Sequence, residues 1–220
     1  MTIRVLLVDD HQMMRQGLRS ILEHEPDLEL VGEASSGREG VRLAAELQPE
    51  VVIMDVAMQD LNGIEATRQI KARAPDTAVV ALSSHGDRRY VIAILEAGAD
   101  GYVLKAGAYE DLRRAVRAVR EGKRFLCPEA ADAVVDATLL RATESGRATT
   151  SAFSMLAPRE REVLQMIAEG RTSSGIAEQL NLAPSTIDTH RRNLMRKLGL
   201  HNIADLTRYA IREGLTSPDR

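Results

Sequence analysis

The stretch Val51-Val52-Ile53-Met54-Asp55 constrains this chain more than any other. Four apolar residues follow the helix-ending Pro49-Glu50 and run straight into a carboxylate. A continuous apolar run of this length predicts a strand buried on both faces, the pattern of a parallel sheet covered by helices. Its acid falls at the carboxyl end, the rim where open α/β sheets hold their ligands.

The flanking sequence repeats that theme. Ile3–Val8 is a second buried strand, ending in Asp9 and Asp10, and a helix from His11 to His24 places Met14, Leu18, Ile21 and Leu22 on one face. A short strand over Leu28–Val31 and a helix over Gly37–Leu47 come next. After Asp55 the pattern gives a helix from Ile64 to Arg73, a strand Thr77–Leu82 followed by Ser83, and a helix Asp87–Ala97. A strand Gly101–Leu104 capped by Lys105 and a helix Tyr109–Glu121 complete it. This succession implies an α/β, flavodoxin-like, doubly wound five-stranded parallel sheet over residues 1–122. From 123 to 153 the pattern weakens into a linker: Pro128–Leu140 predicts an Ala-rich helix, and Arg141–Ser151 a flexible stretch rich in Ser, Thr and Gly. Residues 154–220 read as a small all-α domain, with helices near 158–169, 173–180, 184–198 and 202–213.

Composition narrows the class. The single cysteine, Cys127, excludes a disulfide framework or a thiolate metal cluster within the chain. The apolar run after Met1 is too short for a signal peptide or a membrane span, so a cytoplasmic protein is expected. Residues 1–122 carry net charge −5 and residues 154–220 carry +2, which directs any polyanion partner to the tail.

If the sheet has flavodoxin-like order, Asp9, Asp10, Asp55, Ser83 and Lys105 share one rim. Carboxylates ~4 Å apart repel by about 4 kcal/mol per pair at an effective dielectric near 20, so such a cluster demands a cation. Oxygen-only ligands with open positions suit Mg²⁺ and a phosphate co-ligand. Lys105 and the Ser83 hydroxyl would meet phosphoryl oxygens, with Asp55 as the accepting nucleophile. Any one such Asp alone would more often be a cap or loop residue.

Leu7-Val8-Asp9-Asp10-His11, Ile53-Met54-Asp55, Leu61-Asn62-Gly63, Leu82-Ser83 and Ala99-Asp100-Gly101-Tyr102-Val103-Leu104-Lys105 together resemble a response-regulator receiver domain. The resemblance implies Asp55 as phosphoacceptor, Asp10 as direct Mg²⁺ ligand with Asp9 assisting through water, and the Ala57 backbone carbonyl completing the protein ligands. It also implies Ser83 and Tyr102 as a hydroxyl/aromatic switch pair. Gln59 and Ala106-Gly107 depart from the family's usual Pro-containing positions.

In the tail, a short helix ending at Leu180, the turn Asn181-Leu182-Ala183 and a longer helix opened by Pro184 make a helix-turn-helix. On the longer helix Ile187, His190 or Arg191, Leu194 and Leu198 form the expected core stripe. The opposite face carries Ser185, Asp188, Thr189, Arg192 and Arg196, where arginine can meet phosphate or guanine and threonine a thymine methyl. Pro158-Arg159-Glu160-Arg161-Glu162-Val163-Leu164, Ile176-Ala177, Ser185-Thr186-Ile187-Asp188-Thr189-His190 and Arg196-Lys197-Leu198-Gly199 resemble the LuxR-type DNA-binding domain. That adds Thr186 and Lys197 to the expected DNA-facing set. Ala157 stands where an N-capping Thr or Ser is usual, at an expected cost of about 1 kcal/mol. Ser173-Ser174-Gly175 lacks a charge common there, and Asp188 replaces a frequent Lys. The last helix presents a stripe of Leu206, Tyr209, Ala210 and Ile211. Part of it must pack on its own domain, and the resemblance implies that the remainder, with Leu206, Tyr209 and Ala210 as the candidates, pairs two DNA-binding domains as a dimer.

Together the halves resemble a NarL/FixJ-type two-component response regulator. The implied partners are a sensor histidine kinase, double-stranded DNA with paired half-sites, a second copy of the chain on activation, and RNA polymerase as a candidate contact. Two rivals remain. An Asp-based phosphatase or nucleotide-binding enzyme would want an acid two residues after Asp55, where Ala57 stands, or a Gly-rich phosphate loop, and neither is present. A phosphorylation-independent DNA-binding protein with a vestigial receiver is opposed by the intact acidic set.

Overall fold

Apolar runs with no polar alternation become the interior strands, and the helices between them cover both faces. The computed structural model describes residues 2–84, 86–143, 155–213 and 215–216. The chain divides into two compact units at Ser145/Gly146. The first contains β1 (Ile3–Val8), α1 (Gln12–Glu23), β2 (Leu28–Ala34), α2 (Gly37–Leu47), β3 (Val51–Asp55), α3 (Gly63–Arg73) and β4 (Ala78–Ser83). It continues through α4 (Arg88–Glu96), β5 (Gly101–Leu104), a 3₁₀ turn Lys105–Gly107, α5 (Ala108–Arg120), β6 (Phe125–Leu126) and α6 (Pro128–Thr143).

The sheet is parallel throughout, in the order β2-β1-β3-β4-β5-β6. Alternation along the strands sorts the core into two sides. Val5, Leu7, Ile53 and Val80 pack with Leu18 and Leu22 of α1 and Leu112, Ala115 and Val116 of α5. Leu6, Val8, Val52, Met54 and Val79 face Val41 and Ala44 of α2 and Ala66 and Ile70 of α3. Ala81 and Tyr102 lie under α4 and α6.

Six strands are present where five are expected. Phe125 pairs with Gly101 and Leu126 with Tyr102, and the Cys127 amide donates to the Tyr102 carbonyl at 3.0 Å. A two-residue strand has no periodicity to read, so only its register against β5 reveals it. β2 also runs past Val31 to Ala34, since an edge strand tolerates the polar Glu33 that interrupts its pattern. The following α6 is packed into the first unit: Ala130 and Ala133 are buried with Cys127 against Tyr90, Val91 and Ile94. The predicted flexible stretch lies, beyond Thr143, outside the described residues.

The second unit contains α7 (Pro158–Ala168), α8 (Ser173–Leu180), α9 (Pro184–Leu198) and α10 (Ile203–Arg212) around an aliphatic core. Asn181, in the left-handed conformation at φ 51°, ends α8 and starts the three-residue turn into α9. No helix among the described residues is long and apolar enough to cross a membrane.

Candidate functional site

The strand order brings the carboxyl ends of β1, β3, β4 and β5 side by side, and with them the acids, the hydroxyl and the lysine. Asp9, Asp55 and Ser83 are buried, and Asp10 sits half-buried at the edge. Lys105 Nζ lies 2.8 Å from Asp9 Oδ2 and 2.9 Å from Asp55 Oδ2, bridging two strand ends. Asp55 Oδ1 accepts from the Ala57 amide at 3.2 Å, and Asp10 Oδ2 from the Gln59 amide at 3.2 Å. Burial pushes the Asp55 carboxyl up to about 6, with the neighbouring Asp9 charge adding to the rise and the Lys105 ammonium opposing it. Burial lowers Lys105, but Asp55 and Asp9 outweigh it and hold the ammonium above its ordinary range.

Gly63 fixes the floor of this pocket. Its amide donates to the Val56 carbonyl at 3.0 Å, and a Cβ there would stand 2.0 Å from the Asp55 carbonyl oxygen. Only glycine lets the start of α3 come so close to the residue it supports. Asn62 caps that helix by accepting from the Glu65 amide at 2.9 Å.

Oxygen atoms of Asp9, Asp10 and Asp55, together with a His11 ring nitrogen, all lie within 4.8 Å of one another, so the group could hold a metal ion. Asp55 Oδ2 is buried, and its close polar partner is the Lys105 ammonium at 2.9 Å, which leaves a carboxylate lone pair unused. A buried carboxylate oxygen with spare capacity, among other acids, suits a hard cation.

Ser83 and Tyr102 meet in the interior. The Tyr102 ring is fully buried beneath α6, and its phenol hydrogen-bonds Ser83. Burial pushes that phenol up to about 12, the Ser83 bond notwithstanding.

In the second unit, Ile187 and Leu194 of α9 are buried and Leu198 packs beside them, while Ser185, Thr189, Arg192, Arg196 and Lys197 are exposed; Thr186 and Asp188 are intermediate. The Thr189 hydroxyl donates to the Ser185 carbonyl at 2.9 Å, and Arg192 Nη2 reaches Thr189 Oγ1 at 3.3 Å. Arg196 Nη2 lies 2.9 Å from Asn193 Oδ1. Asp188 accepts from the Ser173 hydroxyl at 2.9 Å and stands 3.4 Å from Arg191 Nη2. That carboxylate therefore ties α8 to α9 and has a partner of opposite charge in Arg191. Lys197 donates to Glu160 Oε2 at 2.8 Å, and the same oxygen accepts from the Ala157 amide at 2.9 Å. Half of a capping box thus survives without a side-chain cap at Ala157.

Leu206, Tyr209 and Ala210 are not a free surface. All three are buried in the core of their own domain, and α10 exposes Ile203, Ala204, Arg208 and Arg212 instead. The apolar stripe they form is the inward one.

A receiver-type rim and a helix-turn-helix in one chain narrow the kinship, and comparison with known proteins decides it. The response regulator receiver domain profile matches residues 5–117, and that of bacterial regulatory proteins of the luxR family matches residues 154–210. The chain is a response regulator. It is 41% identical to the transcriptional regulatory protein LiaR of Bacillus subtilis over 215 residues, 98% of this chain and all of that one. It is 36% identical over 217 residues to the response regulator UvrY of Escherichia coli K12, covering 99% of this chain and 97% of UvrY. The structure of the two-component response regulator RcsB–DNA complex aligns with TM-score 0.59 and 28% identity over 97% of this chain and 99% of that one. The response regulator thus joins a receiver to a LuxR-type DNA-binding domain, as transcription regulators of the NarL/FixJ type do.

Sequence reasoning missed three residues of these sites. His11 stands in the quoted Asp-Asp-His run, yet only the loop geometry turns its ring over the acids. Ser173 answers Asp188, a pairing fifteen residues apart that the helix-turn-helix geometry makes. Glu160 holds Lys197 across thirty-seven residues, which no local pattern signals.

Proposed function

We propose that Asp55 accepts a phosphoryl group from a histidine kinase and that this modification controls DNA binding by the second domain. The Lys105 ammonium bridging the buried carboxylates of Asp9 and Asp55 carries the proposal. An Asp55 oxygen attacks phosphorus in line. The P–N bond of the donor phosphohistidine breaks, and its electron pair stays on the imidazole nitrogen, which takes up a proton. Lys105 neutralises a phosphoryl oxygen, and Ser83 can donate its hydroxyl to another. Asp10 and Asp55, with Asp9 and the Ala57 carbonyl, would hold Mg²⁺, which supplies charge neutralisation to the incoming phosphoryl oxygens. Hydrolysis of its own aspartyl phosphate is the only turnover this chemistry gives.

Phosphorylation adds about −1.5 to −2 charges at the rim. Drawing Ser83 toward that group removes the hydrogen-bond partner of the Tyr102 phenol. Tyr102 lies against Cys127, Ala130 and Ala133, so its movement acts on β6 and α6, the segment leading to the DNA-binding domain. Arg192 and Arg196 would meet phosphate or guanine, with Ser185, Thr186, Thr189 and, once released from Glu160, Lys197 completing the DNA face. Ser173 and Arg191 hold Asp188 as a support of that face. Ile203, Ala204, Arg208 and Arg212 are the residues α10 offers a second copy. RNA polymerase is a further candidate partner, and a DNA partner places the work in the cytoplasm. Mass spectrometry after incubation with Mg²⁺ and a small-molecule phosphodonor tests the chemistry. One phosphoryl group on wild type and none on Asp55→Asn is expected; equal labelling would overturn the assignment.

A further inference from the structure

The acidic pocket contains a donor that phosphoryl transfer leaves idle. His11 Nδ1 lies 2.8 Å from Asp10 Oδ1, 3.5 Å from Asp9 Oδ1 and 3.9 Å from Asp55 Oδ2. Two ligands each ~2.1 Å from a common cation stand roughly 3 Å apart when adjacent and about 4.2 Å when opposite. The His11 spacings cover that range. Two bonds anchor the loop to Asp9: the His11 amide donates to Asp9 Oδ1 at 2.8 Å, and Arg15 Nη1 donates to the Asp9 carbonyl at 2.7 Å. The His11 side chain is 61% exposed and that of Lys105 only 9%, so the ring is the solvent-facing member of the group. The buried Asp55 Oδ2 lies 2.9 Å from Lys105 Nζ and 3.9 Å from His11 Nδ1.

We propose that His11 is a direct nitrogen ligand of the cation pocket and that it makes the pocket favour Mn²⁺ and Zn²⁺ over Mg²⁺. The inference rests on the reading of the pocket as a cation site. Mg²⁺ prefers oxygen and retains water, whereas imidazole nitrogen suits first-row transition metals. A neutral ring adds a fourth donor without adding a fourth negative charge to a site that already crowds three carboxylates. Zn²⁺, which favours four ligands, would find all four in the protein and leave no position for a phosphoryl oxygen; six-coordinate Mn²⁺ would keep positions open.

The test uses the full chain, stripped of metal, as wild type and His11→Gln. Calorimetric titration with Mg²⁺, Mn²⁺ and Zn²⁺ gives affinities, and pulsed EPR of the Mn²⁺ form reports nitrogen-14 coupling. Wild type should show that coupling and His11→Gln should lose it. Removing even a supporting residue costs metal sites about 10–100-fold in affinity, so Mn²⁺ and Zn²⁺ binding should weaken at least about tenfold, with Mg²⁺ little changed. Mn²⁺ bound without nitrogen coupling, or all three cations weakened equally, would overturn the proposal while leaving the acidic pocket intact. A wild type that binds no divalent cation would overturn both.

Discussion

Replacing Asp55 by Asn should stabilise the protein at neutral pH, although it removes the proposed phosphoacceptor. Burial and Asp9 raise the folded Asp55 carboxyl from 3.8 to about 6, a value that already contains the opposing pull of Lys105. Between roughly pH 4 and 6 the folded state therefore holds a proton that the unfolded state has released, and stability falls as pH rises through that window. Above about pH 6 the cost is complete. Two units at 1.36 kcal/mol each come to about 3 kcal/mol, an upper figure for the divalent-free protein. The variant's amide side chain cannot ionise, and Lys105 keeps its 2.8 Å partner in Asp9. The urea midpoints of variant and wild type, measured in chelator from pH 4 to 8, should diverge toward pH 8 in favour of the variant and converge toward pH 4. Saturating Mg²⁺ should close the gap at pH 8 by stabilising wild type. A difference that is flat with pH, or that grows on acidification, would refute the account of Asp55 as a carboxylate held at electrostatic cost.

Three further perturbations probe the framework around the sites. Gly63→Ala places a Cβ 2.0 Å from the Asp55 carbonyl oxygen, so it should cost about 1–3 kcal/mol in urea unfolding and weaken Mg²⁺ binding measured by calorimetry. Ala130→Glu forces a charge into the cluster over Tyr102, and hydrogen exchange should show residues 128–143 exchanging faster while α1 to α3 stay protected. Burial raises the Glu160 carboxyl, but the Lys197 ammonium and the Ala157 amide outweigh it and hold the group below its usual range. The charged form thus contributes stability at neutral pH that is lost as pH falls through the carboxylate range. Glu160→Gln should be less stable at pH 7 by thermal unfolding, with the deficit shrinking under acid.

The interior of the receiver was legible because burial on both faces leaves an unambiguous apolar run: β1, β3 and β5 occupy the spans their sequences predict. Edges were harder. β6 is two residues long and exists through its bonds to β5, while Gly32 and Glu33 hid the second half of β2. The rim residues could be named from strand ends, since sequence order and parallel topology together place them. What pairs with what across long separations could not. A stripe such as Leu206, Tyr209 and Ala210 shows that a helix has an apolar face, but its partner is decided by packing, which turns it into the domain's own core. Asp188 carries the same lesson for charge, because Ser173 and Arg191 decide whether its carboxylate confronts DNA or braces the helix.

The coupling between Asp55 and DNA is the central claim, and one binding experiment tests it most directly. DNA affinity and oligomeric state of the full chain would be measured with and without Mg²⁺ plus phosphodonor, for wild type and Asp55→Asn. A coupling free energy of 1–3 kcal/mol predicts about 5–150-fold tighter binding by phosphorylated wild type, together with dimer formation. The variant should show neither. Equal affinity in all four conditions would contradict the account and leave a DNA-binding protein whose receiver does not control it.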